Sequence, residues 1–144
     1  MLKFPKNLLI PLFFYLIAFI FDATITTRGI TNKLGSEGDP ITLWLWSIFG
    51  YDSFLLKIIY VVLIFSVSYL FYKKVSKILA VLIPYSLGVG HILGFSTWIF
   101  HLNNEFNSSI VNRLHAFLVP YGLFIVSPII GFFISFIHFK RIKS

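Results

Sequence analysis

The stretch FDATITTRGITNKLGSEGDPITLWLW, residues 21–46, decides how the rest of the chain is read. Asp22 stands near the end of an apolar run and is followed by a Thr-rich exit. A Gly/Ser turn comes next, then Glu37-Gly38-Asp39-Pro40, then an apolar tail carrying Trp44 and Trp46. On both sides of this stretch the chain reads as membrane.

Composition gives the reason. Of 144 residues, 58% are hydrophobic, 19% aromatic and only 12% charged, too few charges to coat a soluble surface. A soluble domain of this make-up would expose large apolar patches. The net charge of +7 is spread over the ends of apolar runs, with no basic face interleaved with stacking aromatics. That is the placement expected of a membrane protein and excludes a nucleic-acid partner. With no cysteine, disulfides, thiol catalysis and Cys-ligated metals are excluded as well.

Residues 7–27 form the first apolar stretch, uncharged except for Asp22. Cleavage after Ala23 would put Phe21 at the −3 position, where a signal peptidase needs a small residue, so an uncleaved span is expected. Residues 41–51 are apolar but too short to cross. With Trp44 and Trp46 they predict an interfacial helix that Asp39-Pro40 would start. A second span is expected over 53–72 and a third over 78–102, joined by a tight turn at Lys73, Lys74 and Lys77. A fourth, over 115–139, has Pro120 and Pro128 inside it. The reading is one all-α, multi-pass domain of four spans, with the lipid bilayer as its partner. Gly90 and Gly94 form a small-xxx-small pair, open to another helix of this chain or of a membrane-protein partner.

Cytoplasmic termini would place eight cations inside: Lys3, Lys6, Lys73, Lys74, Lys77, Lys140, Arg141 and Lys143. Four would lie outside: Arg28, Lys33, Lys57 and Arg113. The positive-inside rule selects this orientation, in a cell membrane. All five acids, Asp22, Glu37, Asp39, Asp52 and Glu105, then fall on the outer half. Insertion does not demand that segregation; a site would. The sequon at Asn107 falls on the outer loop.

Three constellations could carry chemistry. Asp22 lies ~22 Å along its helix from Asn7, and His91 ~20 Å along its own from Lys77, at ~1.5 Å per residue. The two ionisable groups therefore reach similar depth. They serve either as a hydrogen-bonded lock between helices or as catalytic groups. Glu37 and Asp39 could join Asp22 and His91 as ligands of a divalent metal, or simply form a solvated turn and helix cap. Leu87, His91, Gly94 and Trp98 share one helical face. His101 and His115, at the ends of adjacent spans, could approach each other as haem or metal ligands, or bind headgroups and loop carbonyls. His138 reads as merely interfacial.

The pattern Asp22-x-x-x-Thr26-Thr27, then Glu37-x-Asp39-Pro40, resembles small multi-pass prokaryotic membrane proteins of unknown function. Those carry an Asp-x-x-x-Thr helix end followed by Glu-x-Asn-Pro, with Asn where this chain has Asp39. The resemblance covers about the first third of the chain and implies that Asp22, Thr26, Glu37 and Pro40 belong together.

The expected function is an outward-facing polar site with Asp22 and His91 as floor and Glu37 and Asp39 as lid, carrying out metal-assisted hydrolysis of a lipid-linked or peptide substrate. The rival is a non-enzymatic membrane subunit or assembly factor whose polar residues fix helix packing. A transporter or proton relay ranks last, because the inner half offers almost no polar group between Lys77 and Tyr85.

Overall fold

The computed structural model describes residues 5–31, 44, 47–50, 53–102 and 125–143, and helix is the regular structure throughout them. Four long helices are described: α1 (Lys6–Thr31), α2 (Ser53–Lys74), α3 (Lys77–Leu102) and α4 (Ser127–Lys143). The α2–α3 hairpin is as tight as its lysine-flanked sequence suggests. The amides of Val75 and Ser76 both donate to the Phe71 carbonyl, at 3.0 and 2.9 Å, and close α2. Ser76 then caps α3: its hydroxyl accepts from the Leu79 amide at 3.4 Å and its carbonyl from the Ala80 amide at 3.0 Å.

Helix α1 runs through the Thr-rich segment, which the expected 7–27 span includes, and on to Thr31. Inside the helix the threonine hydroxyls find backbone acceptors. The hydroxyls of Thr24 and Thr27 donate to the carbonyls of Ile20 and Ala23, four residues back, at 2.7 and 2.6 Å. Pro128 is the second residue of α4, which continues directly from a short π-helical segment at residues 125–126. Residues 115–124 of the expected fourth span, with Pro120, lie outside the described residues. Within the expected 41–51 helix, Trp44 and residues 47–49 are helical and exposed. Gly50 follows with φ of 55°, the left-handed conformation that glycine adopts without strain at a helix end.

Helix α3 is the centre. It packs most extensively on α1, then on α4 and α2, while α1 and α2 touch little. Helices α1 and α3 run parallel. Leu8 and Val81 share one buried cluster, Phe14 stacks on Tyr85 at 5.5 Å, and Phe21 meets Phe95 at 6.2 Å. The core, Leu8, Leu12, Ala80, Val81 and Tyr85, occupies the end where α1 and α3 begin.

Polarity is distributed the opposite way from a soluble fold. Thr26, Ser68, Ser127 and Ser135 are buried, while Ile17, Phe21, Ile59, Val62, Phe132, Phe133 and Phe136 are exposed. Two segments are long and apolar enough to cross a membrane, Lys6–Arg28 with mean hydropathy 2.3 and Lys77–Ser96 with 1.9. Only 33% and 39% of these segments is buried within the chain, whereas the core helix of a soluble protein would be mostly buried.

Small residues set how close the helices come. A Cβ on Gly131 of α4 would lie 2.8 Å from the Cα and N of Ser86, which are backbone atoms that cannot turn aside. A Cβ on Gly94 would meet nothing nearer than Asp22 Oδ1, at 3.4 Å. Gly131→Ala should therefore cost ~1–3 kcal/mol of stability by overpacking. Gly94→Ala should be close to neutral, the contact being offset by better helix propensity. Equal losses in a denaturant titration of the two variants in detergent would contradict this α3–α4 packing.

Candidate polar site on the α1–α3 seam

Asp22 comes from α1 and His91 from α3, and the parallel register brings them side by side. His91 Nδ1 and Asp22 Oδ2 are 2.7 Å apart, a direct hydrogen bond with Nδ1–H as donor and the carboxylate as acceptor. Ring and carboxylate are partly buried, 26% and 19% exposed. The imidazole lies against Tyr15 at 5.6 Å and takes Phe19 edge-on at 5.4 Å, so its plane is held from two sides. Tyr15 is itself only 2% exposed.

The carboxylate is held just as closely. Buried Thr26, one turn along α1, donates its hydroxyl to Asp22 Oδ1 at 3.4 Å. Gly94 of α3 lies against the same oxygen, and a methyl group there would touch it. The Gly94 face is thus occupied by α1 of the same chain, and Gly90 beside it is buried too.

With Nδ1–H engaged by Asp22, the neutral imidazole presents Nε2 as a lone pair, fit to accept a proton or bind a metal. Among the described residues, no group of three or more His, Cys, Asp or Glu side chains comes together. Glu37, Asp39, Pro40, His115 and the Asn107 sequon lie outside the described residues, as do the side chains of Trp98 and His101.

A second polar cluster was not foreseen. His138, expected to be only interfacial, joins three helices: Nε2–H donates to the Asn7 carbonyl of α1 at 3.0 Å, and Nδ1 accepts from the Tyr85 hydroxyl of α3 at 3.2 Å. The cause lies in α1. A helical carbonyl accepts from the amide four residues ahead, and for Asn7 that residue is Pro11, which has no N–H. His138 supplies the missing donor from α4. The signal that could have found it was Pro11 inside an apolar helix, since such a proline leaves a carbonyl in need of a partner.

No family model, curated protein or solved structure matches the chain.

The Pro11–Asn7–His138 relation makes a double-mutant cycle informative. His138→Ala should destabilise the fold by ~1 kcal/mol, since it removes two interhelical hydrogen bonds that average ~0.6 kcal/mol each in a membrane protein. In a Pro11→Ala background the restored amide can take the Asn7 carbonyl, so the loss should shrink by ~0.5 kcal/mol or more. Strictly additive losses in thermal unfolding would mean that His138 does not serve that carbonyl.

Proposed function

We propose that the chain is an integral membrane protein of four spans with cytoplasmic termini, and that the Asp22–His91 pair is the centre of an outward-facing polar site. Support for the spans comes from the inverted polarity: buried serines and threonine, and exposed phenylalanines and isoleucines. The orientation rests on the cations. Lys6, Lys73, Lys74, Lys77 and Lys140 gather at one end of the bundle, while Arg28 and Lys57 lie toward the other. Asp22 is ~24 Å along α1 from Lys6, and His91 ~21 Å along α3 from Lys77, at ~1.5 Å per residue. That depth puts the pair in the outer half of a bilayer.

The observation that carries the site is the 2.7 Å hydrogen bond itself. A carboxylate behind Nδ1 fixes the tautomer and the ring orientation, leaving Nε2 as the free lone pair, as it does behind metal-bound histidines. In this reading His91 is the ligand or base and Asp22 orients it. Glu37 and Asp39, shortly after Asp22 in sequence, would complete a divalent metal site. The chemistry that fits such a site is activation of water for hydrolysis of a lipid-linked or peptide substrate.

One observation favours the rival reading, a non-enzymatic subunit or assembly factor. Asp22 and His91 satisfy each other directly, and no third such group joins them among the described residues. An interhelical lock needs nothing more.

Two measurements test these readings. Reporter fusions after Lys77 and at the C-terminus should report the cytoplasm, and fusions near Lys33 and Asn107 the exterior. A cytoplasmic signal at Lys33 would overturn the orientation. Purified protein incubated with Zn²⁺ and then desalted should hold about one ion per chain by elemental analysis, as one site requires, and His91→Ala should hold none. Asp22→Asn should bind at least ~10-fold more weakly, the usual loss on changing such a partner. Zinc-free wild-type protein would favour the subunit reading.

A further inference from the structure

The fold gathers cations from every described long helix at one end. Lys6 opens α1, Lys73 and Lys74 close α2, Lys77 opens α3, and Lys140 lies in the last turns of α4; all five are exposed. The hairpin turn joins α2 to α3, and the His138–Asn7 hydrogen bond ties the end of α4 to the start of α1. Asp22 is the one carboxylate side chain among the described residues, and it stands on the far side of Tyr15 and Phe19 from this end. The lysines are also partly ordered. Lys73 Nζ sits 5.9 Å from the ring centroid of Tyr69, and Lys77 Nζ 5.7 Å from that of Tyr72. Tyrosines are at home at the headgroup level, so these cation–π contacts hold two ammonium groups at that depth.

We propose that this basic end is a binding surface for the phosphate headgroups of anionic phospholipids, with Lys73, Lys74 and Lys77 at its centre; this rests on the membrane reading above. Insertion asks only that cations remain on one side. It does not ask for ammonium groups laid over tyrosine rings with no described carboxylate nearby. No described side chain supplies their countercharge, and in a membrane the anion fixed at that depth is the lipid phosphate.

Thermal unfolding of the full chain in neutral detergent tests this. Added phosphatidylglycerol should raise the midpoint by about 5 °C, as a ligand of the native state does, while phosphatidylcholine leaves it in place. Because the surface is exposed, raising salt from about 0.05 to 0.5 M should remove most of the rise. The variant carrying Lys73→Gln, Lys74→Gln and Lys77→Gln should lose more than half of it. Lys57→Gln, at the other end, should keep it, as should the corresponding triple arginine variant. Equal midpoints in the two lipids, or a rise unchanged by salt, would overturn the proposal even if the glutamine variant failed to fold. Inorganic phosphate producing the same rise would overturn the lipid source in favour of a small-anion site. A chain that stays monodisperse without detergent would overturn the membrane reading itself; one that needs detergent but is indifferent to phosphatidylglycerol overturns only this surface.

Discussion

A carboxyl group partly buried between apolar helices must be met by a partner, and Asp22 is met by His91. Leaving either one unpaired in an apolar seam would cost a few kcal/mol. That requirement sets the register of α1 on α3. Sliding α1 by one residue would turn Asp22 away by ~100° and move it ~1.5 Å along the axis, breaking a bond that is 2.7 Å long. The same slip would withdraw Phe14 from Gly88, where a Cβ would stand 2.5 Å from the Phe14 ring. The polar bond and the aromatic fit therefore select one alignment, and each is consistent only with the other.

The other end of the seam follows the same logic with different atoms. Pro11 leaves the Asn7 carbonyl without its helical donor, and His138 brings one from α4. Because Tyr85 donates to the remaining nitrogen, the ring is satisfied on both sides. Helix α4 is then held to α3 by the close approach of Gly131 to Ser86, and its end is tied to α1 by the His138–Asn7 hydrogen bond. Ser86 Oγ itself is buried at that approach without a hydrogen-bond partner among the described residues. Contact at this spot is set by backbone proximity and not by a polar bond.

The features legible in the sequence are those that depend on counting along a helix. Matched depth of Asp22 and His91 follows from rise per residue, and the α2–α3 hairpin from lysines flanking a two-residue break. The Thr-rich segment lies inside the expected 7–27 span and inside α1, where its hydroxyls bond back to their own helix. His138 was underestimated. Its partners, Asn7 and Tyr85, lie 131 and 53 residues away in sequence, and no helical period connects them. The Glu37–Asp39 lid rests on sequence alone, since it lies outside the described residues.

The two polar clusters raise the question of whether they could exchange a proton. His138 and Tyr85 put a polar cluster at the basic end of the bundle, so the case against a relay cannot rest on a lack of polar groups there. It rests on what lies between. From Tyr85 to His91 is six residues, ~9 Å along α3, which a relay would have to bridge with two or three waters. The described seam offers aromatic carbon in that interval: the Phe14 ring and the Tyr15 backbone press on Gly88, and the Tyr15 ring packs on His91. Buried water persists where two to four polar groups hold it; the Phe14 ring contributes none, and the buried Ser86 Oγ contributes one. Along the described seam, aromatic packing therefore stands between the two clusters. One ties three helices together at the basic end, and the other sets a partly buried imidazole beside Asp22 farther along the same helix.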